Sequence, residues 1–171
     1  ALIDSRRPQL QAGDEVIVVG DTHDGALPHV ELLCTVHGLR YLAHDAQGHA
    51  WGHPQINQGM RVATGDYLVF IDDDDVFDAD ALATIRAGIA EAPGRVHLFQ
   101  FHAARLGRTL PETHAVVESA IGGHCIVPPN DPAKLGQWGD RYGGDFDFIV
   151  TTLAHYPEGP VWHDQVMAWA R

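Results

Sequence analysis

The sequence predicts an α/β fold: a single domain over residues 1–171, with a mostly parallel central sheet flanked by helices. Three observations lead there. Short strand-like runs alternate with helix-period segments through the first hundred residues, the pattern of strand–helix–strand units. The β-branched run from Glu15 to Gly20 closes on Gly and Asp, as a strand buried on both faces does. The composition, 45% apolar and 20% charged over 171 residues, suits one core and excludes a disordered chain.

The elements follow in order. Leu2 to Leu10 reads as the end of a helix, against which Pro8 argues. Glu15–Gly20 is the first strand, with Asp21 to Gly25 as the loop after it. Pro28–His37 places Val30, Leu33 and Val36 on one helical face, and Leu39–Ala43 is the next strand. Pro54–Ala63 aligns Ile56, Met60 and Ala63 and stops before Gly65. Tyr67–Ile71 is a third strand. Asp78–Ala90 is a helix with Asp78 as N-cap and Leu82, Ile85 and Ile89 on its inner face. Arg95–Phe101 alternates like a strand. Leu106–Glu118 has no clear period. Ile121–Val127 reads as a strand interrupted by Gly122-Gly123, Asp145–His155 as a helix, and Val161–Trp169 as a final strand or helix. The division at residue 101 separates a nucleotide- and metal-binding half, 1–101, from an acceptor-side half, 102–171.

Charge narrows the partners. The net charge of −12 and a single lysine, Lys134, do not suit the nucleic-acid backbone, which needs clustered cations. No apolar stretch approaches the ~20 residues that span a bilayer. Residues 1–7 carry no secretory leader, so the expected location is cytoplasmic. Cys34 and Cys125 match no metal spacing.

The chemistry lies in Asp72, Asp73, Asp74 and Asp75, directly after Leu68-Val69-Phe70-Ile71. No Lys or Arg occurs between Arg61 and Arg86. Carboxylates this crowded repel one another unless a cation sits among them. Oxygen ligands favour Mg²⁺ or Mn²⁺. In an extended segment Asp72 and Asp74 share one side, which suits a metal shared with a ligand diphosphate. The bland alternative is a solvated turn that caps the next helix. In sheets of this class ligands bind beyond the carboxyl ends of strands, where Asp21, Asp24 and the four aspartates stand.

The stretch Asn57–Asp75 resembles the centre of family-2-like GT-A glycosyltransferases (the nucleotide-diphospho-sugar transferase fold). There an Asn-x-Gly helix leads through Ala-x-Gly-Asp-Tyr to a strand ending in Asp-x-Asp. Glu15–Asp21 looks like that family's second strand, Ile121-Gly122-Gly123 like its acceptor-side strand, and Gly143–Phe148 like its Gly-Glu-Asp helix start. The resemblance implies a metal-dependent transferase moving a sugar from a nucleoside-diphosphate sugar to an acceptor hydroxyl. Asp21 would contact the nucleoside. Asp72 would lie near the ribose or the metal, with Asp73 among the nucleotide-sugar contacts. Asp74 would be the principal metal ligand. Asp145 would be the general base of an inverting displacement. His163 would be a further metal ligand, and Asn57 and Arg61 would reach the diphosphate. Trp138, Arg141 and Tyr142 could flank the acceptor, whose nature (saccharide, lipid-linked or small molecule) is not legible.

Two departures stand out. The family's first strand has no counterpart ahead of Glu15, so on this resemblance the fold would lack a central strand unless the sequence is a piece of a longer chain. Gly144 stands where the family often has Glu, which leaves Asp145 to act alone or with Asp147. The rival readings are a haloacid-dehalogenase-like phosphatase with Asp72 as nucleophile, and a non-catalytic nucleotide-sugar or metal-binding domain. The first fits poorly, because at least two strands precede the acidic one.

Overall fold

Hydrogen bonding sorts the strands of this computed structural model into two sheets; residues 9–23, 25, 27–45 and 51–171 are described. The helix end expected at Leu2–Leu10 falls mostly outside these residues, and Asp24 lies outside them too. In the smaller sheet β1 (Ile17–Asp21) runs parallel to β2 (Arg40–His44), pairing Ile17 with Arg40 and Asp21 with His44. Between them α1 (Pro28–His37) starts on Pro28 and stops at Gly38, whose φ of 65° is left-handed.

The larger sheet has five strands: β3 (Val76–Phe77), β4 (His97–Ala103), β5 (Arg108–Leu110), β6 (Ile126–Val127) and β7 (Val161–Ala170). Their order is β3-β7-β4-β5, with β6 also on β4. β4 and β7 are parallel; the other three pairings are antiparallel. The α/β class holds, and the sheet is mixed rather than mostly parallel.

β4 is buried on both sides, because apolar residues pack on each face. Phe99 joins Ile85 of α3 (Ala81–Glu91), with Met167 and Val127. Leu98 and Phe101 join Phe148 and Ile149 of α4 (Gly144–Leu153) on the other. The helix α2 (His53–Val62) bridges the sheets, with Met60 in the main core and Gly59 facing Val19 of β1.

Three expectations change. Tyr67–Ile71 is not a ladder strand: it makes one isolated bridge, to Pro129, and Leu68 N–H donates to the Pro128 carbonyl. The opposing residues are both proline, which supply carbonyls but no N–H, so reciprocal pairing stops. Extension survives: Leu68 and Phe70 face one core cluster, Tyr67 and Val69 the other. Second, Asp78 does not cap α3, which begins at Ala81. Its N–H donates to Met167 O and its carboxylate accepts from Trp169 Nε1, tying the turn to β7 instead. Third, Ile121–Val127 is a 3-10 turn over Gly123–Cys125 followed by β6. Among the described residues no helix is long and apolar enough to cross a membrane.

Candidate active site

The four aspartates form a turn, not an extended strand end. Asp75 N–H donates to Asp72 O at 3.3 Å, so Asp73 and Asp74 sit at the corner. The expected shared side for Asp72 and Asp74 therefore does not exist. The turn divides the four residues by role. Asp72, Asp73 and Asp74 are exposed, whereas Asp75 is buried at 4% exposure. Asp75 Oδ1 accepts the Arg171 N–H at 2.9 Å, and its Oδ2 lies 3.4 Å from His124 Nδ1. Asp75 anchors the turn to β7 and to the 3-10 turn; it is not a free ligand.

His124, to which the sequence assigns no role, sits beside both Asp75 and Phe101. It packs edge-on against Phe101, ring centroids 4.1 Å apart, and its Nε2 is buried without a hydrogen-bond partner. Any positive charge on its ring would favour ionisation of both Asp72 and Asp145. The Asp72 carboxyl is raised above the usual carboxylate range, first by partial desolvation, then by repulsion from Asp75; Asp74 and Asp73 add to this and His124 opposes it. Asp72 keeps solvent access, so the crowding of acids is the more informative cause.

Asp145 lies in the first turn of α4, two residues after Gly143, whose φ of 91° lets the chain enter the helix from a left-handed cap. Its Oδ1 accepts the Phe146 N–H at 2.7 Å. Burial nevertheless raises its pKa, against that bond and the nearby His53 and His124. Asp147 is the opposite case. Arg141 holds it through two nitrogens, with Nε at 2.8 Å, and depresses its pKa; Arg141 also pairs with Glu118. Asp145, by contrast, has no Lys or Arg ion pair among the described residues.

His53 accounts for Gly144. A Cβ at 144 would come within 2.5 Å of the His53 ring and 2.7 Å of Gly139 O. His53 is buried and its Nδ1 donates to Gly139 O at 2.6 Å, which fixes the head of α2 against the head of α4. The residue type at 144 was visible in sequence; the histidine that fills its space was not.

The remaining expected residues divide. Asp21 ends β1 at the carboxyl edge and accepts the His23 N–H at 2.9 Å. Asn57 is engaged twice by Trp138, donating to its carbonyl at 2.9 Å and accepting its N–H at 3.0 Å. It clamps α2 to the Trp138 backbone, so in this structure both ends of its amide are engaged away from a diphosphate. Arg61 lines a pocket of about 200 Å³ with Asn57, Met60, Pro132, Leu135 and Gln137. It stands at the far end of α2, about 12 Å along the axis from His53. His163 is removed more clearly. It stacks on Phe99 with centroids 4.2 Å apart and bonds His97 Nδ1 at 2.9 Å. It lies six residues, about 20 Å of strand, from Trp169, which pairs with Val76 beside the acidic turn. Trp138 is core, stacked on Phe148.

The donor set at Asp72–Asp74 is all carboxylate and has no Lys or Arg among its described ion-pair partners, which fits a hard divalent cation. Among the described residues no three His, Cys, Asp or Glu side chains converge closely enough to hold an ion unaided. A bound cation would have to draw other ligands from elsewhere, such as the diphosphate.

The model for glycosyl transferase family 2 matches residues 1–117, more than half of the chain. The chain belongs to that family. No curated protein matches it. Among solved structures, S. aureus TarS 1–349 superimposes with a TM-score of 0.71 at 16% identity, covering 99% of this chain and 55% of that one. TarS 1–349 in complexes with UDP and with UDP-GlcNAc superimposes with a TM-score of 0.69 in each case, again at 16% identity; 99% of this chain is covered in each, with 55% and 53% of those chains respectively. This chain therefore spans about half the length of these family-2-like structures. They establish a GT-A-like α/β fold, and family membership displaces the dehalogenase-type reading.

Proposed function

We propose that this family-2 domain is a glycosyltransferase that moves a sugar from a nucleoside-diphosphate sugar to an acceptor hydroxyl with inversion, Asp145 acting as general base. The observation that carries the reading is Asp145 itself. It is a half-buried carboxylate at the head of α4, beside His53 and His124, with no Lys or Arg ion pair among the described residues. A raised pKa makes its carboxylate a better proton acceptor. An acceptor hydroxyl within hydrogen-bond reach would pass its proton to the free Asp145 oxygen as its own oxygen attacks the anomeric carbon. Oδ1 stays bonded to Phe146 N–H, which holds the carboxylate's orientation.

Asp72, Asp73 and Asp74 are the groups that would hold a divalent cation, Mn²⁺ or Mg²⁺. When bound, that ion supplies charge stabilisation to a departing diphosphate. Asp75 and His124 keep the turn in place. Asp21, at the carboxyl end of β1, remains the candidate nucleoside contact. The UDP-bound relatives support a uridine nucleotide as the first donor to try.

Calorimetric titration of UDP and GDP, with and without Mn²⁺, tests the donor half on the parent and on Asp74→Ala. Metal-dependent binding that disappears in the variant is expected; metal-independent binding equal in both would remove the cation from the mechanism. Asp145→Asn tests the base. Nucleotide affinity should hold while transfer falls about 10²–10⁴-fold; transfer at the parent rate would sink the assignment.

A further inference from the structure

We propose that Trp51 and Tyr142 form the platform on which a neutral pyranose ring of the acceptor lies, next to Asp145; this rests on the glycosyltransferase reading. Both side chains are unusually open for aromatics, Trp51 at 56% and Tyr142 at 79% exposure. They are not scattered. Their rings meet edge to face, centroids 5.8 Å apart at 73°. One stands just before the head of α2 and the other just before the head of α4, the two helix ends that His53 locks together through Gly139 and Gly144. Tyr142 is three residues from Asp145.

The backbone adds a second observation. Trp51, at φ 49°, is the non-glycine residue with positive φ among those described. A bulky residue there is strained, and the aromatic rings it meets among the described residues are the exposed Tyr142 and the buried His53. A large apolar side chain held in a costly conformation and left in water is explained by something that lies on it.

The shape selects the occupant. An edge-to-face pair makes an open corner, not the parallel slot that a flat base prefers. A β-glucopyranose ring presents axial C–H groups on one face, which pack on an aromatic plane while its equatorial hydroxyls point outward to Asp145 and water. Charge excludes the anionic alternative. The cation beside Tyr142, Arg141, is already held by Glu118 and Asp147. Among the described residues the platform therefore offers contact area and no unpaired Arg or Lys beside Tyr142.

Saturation-transfer NMR with methyl β-D-glucopyranoside tests this, with the acyclic polyol sorbitol as control. Saturation concentrated on H1, H3 and H5 of the glycoside, and absent from sorbitol, is expected. Trp51→Gly and Tyr142→Ala should abolish it while UDP titrates as in the parent. Trp51→Gly also relieves the left-handed strain, so its melting temperature should not fall, which separates lost binding from lost folding. Equal saturation of sorbitol, or a signal that survives Trp51→Gly, would overturn the platform. So would a Trp51 indole resonance that moves with UDP and not with the glycoside, which would assign the ring to the nucleoside. A glycoside signal that depends on Trp51 in a protein that binds no nucleotide would support the platform and overturn the transferase reading instead.

Discussion

The two sheets are held by different means. The five-stranded part is built on burial: Val96, Leu98, Phe99, Ile126, Phe148, Ile149 and Met167 are all fully covered. The β1–β2 part has little core. Its helix α1 buries Cys34 and leaves Leu32, Leu33 and Val36 exposed. Polar ties do much of the holding there. Glu15 accepts from Thr64 N–H and Oγ1 and pairs with Arg40, which also donates to Val62 O. Apolar burial is cooperative and strong, whereas exposed polar ties are individually weak. The difference shows where the chemistry is anchored. Asp75, His124 and Asp145 stand on the rigid part, and Asp21, the expected nucleoside contact, stands on the thin one. Local opening should begin around β1 and β2.

The contrast is sharpened most by a change in the strong half. Phe148 is fully buried between Trp138, centroids 5.1 Å away, and Phe70 at 5.5 Å. Phe148→Ala should cost about 3–5 kcal/mol in urea unfolding, the range for a large core truncation. A loss below about 1 kcal/mol would show that this core collapses onto the space and is less rigid than its burial implies. Next comes the clamp between halves. Asn57→Ala strands the Trp138 N–H and carbonyl, and should cost about 1–3 kcal/mol. Hydrogen exchange should locate the damage at the Trp138 amide and in α2. Unchanged exchange there would mean that the clamp does not hold the two parts together.

Much of this architecture was legible. Five elements, β1, α1, β2, α2 and α4, lie within a residue or two of their expected positions, because β-branched runs and helical periods are local signals. What failed depended on partners distant in sequence. Tyr67–Ile71 has strand composition, but Pro128 and Pro129 oppose it. Asp78 is a good capping residue by type, but Met167 and Trp169 engage it first. At the site, the acidic cluster and Asp145 were visible as residue types after strand-like and glycine-rich signals. The roles of His53 and His124 were not, since each acquires its meaning from partners far along the chain: Gly139 and Gly144 for His53, Asp75 and Phe101 for His124. Asn57 shows the converse: sequence displays a polar side chain but not that Trp138 engages both ends of its amide.

A pH titration compares the halves in another way, because the strong half contains a buried neutral pair. Ala92 O can only accept, so His97 Nε2 carries a proton and its Nδ1 accepts from His163 Nε2–H. Burial lowers the His97 pKa from 6.5 to about 4, helped by His163 and Arg95; burial also lowers His163, with Glu91 and Asp164 opposing. The sign follows from linkage. Below 6.5 the unfolded chain binds a proton that the folded chain refuses, so stability is full above that value and falls as pH drops toward about 4. The loss should be on the order of 2 kcal/mol after allowing for the partly open His163 side. Asp72 and Asp145, with raised pKa values, act in the opposite sense at the acid end. Urea midpoints of the parent and of His97→Phe therefore need to be compared across the same pH range. The slope between 6.5 and about 4 should flatten in the variant; parallel slopes would place the acid sensitivity elsewhere.

The smallest expected effect is the one that tests the thin half directly. Leu32 and Val36 lie one helical turn apart on the outer face of α1, at 63% and 70% exposure. A side chain already in water contributes little transfer free energy, so Leu32→Ser and Val36→Ser should each move stability by less than about 0.5 kcal/mol. The same change at Leu98 would remove a fully covered side chain and leave a buried hydroxyl beside apolar neighbours. If the two α1 substitutions instead cost more than about 1 kcal/mol, this face is covered in solution and the β1–β2 part is not thin. A shift to slower sedimentation in Leu32→Ser would then identify the cover as a second copy of the chain. Unchanged sedimentation together with unchanged stability would leave the contrast as drawn: a sheet built on its core beside a sheet tied on by polar bonds.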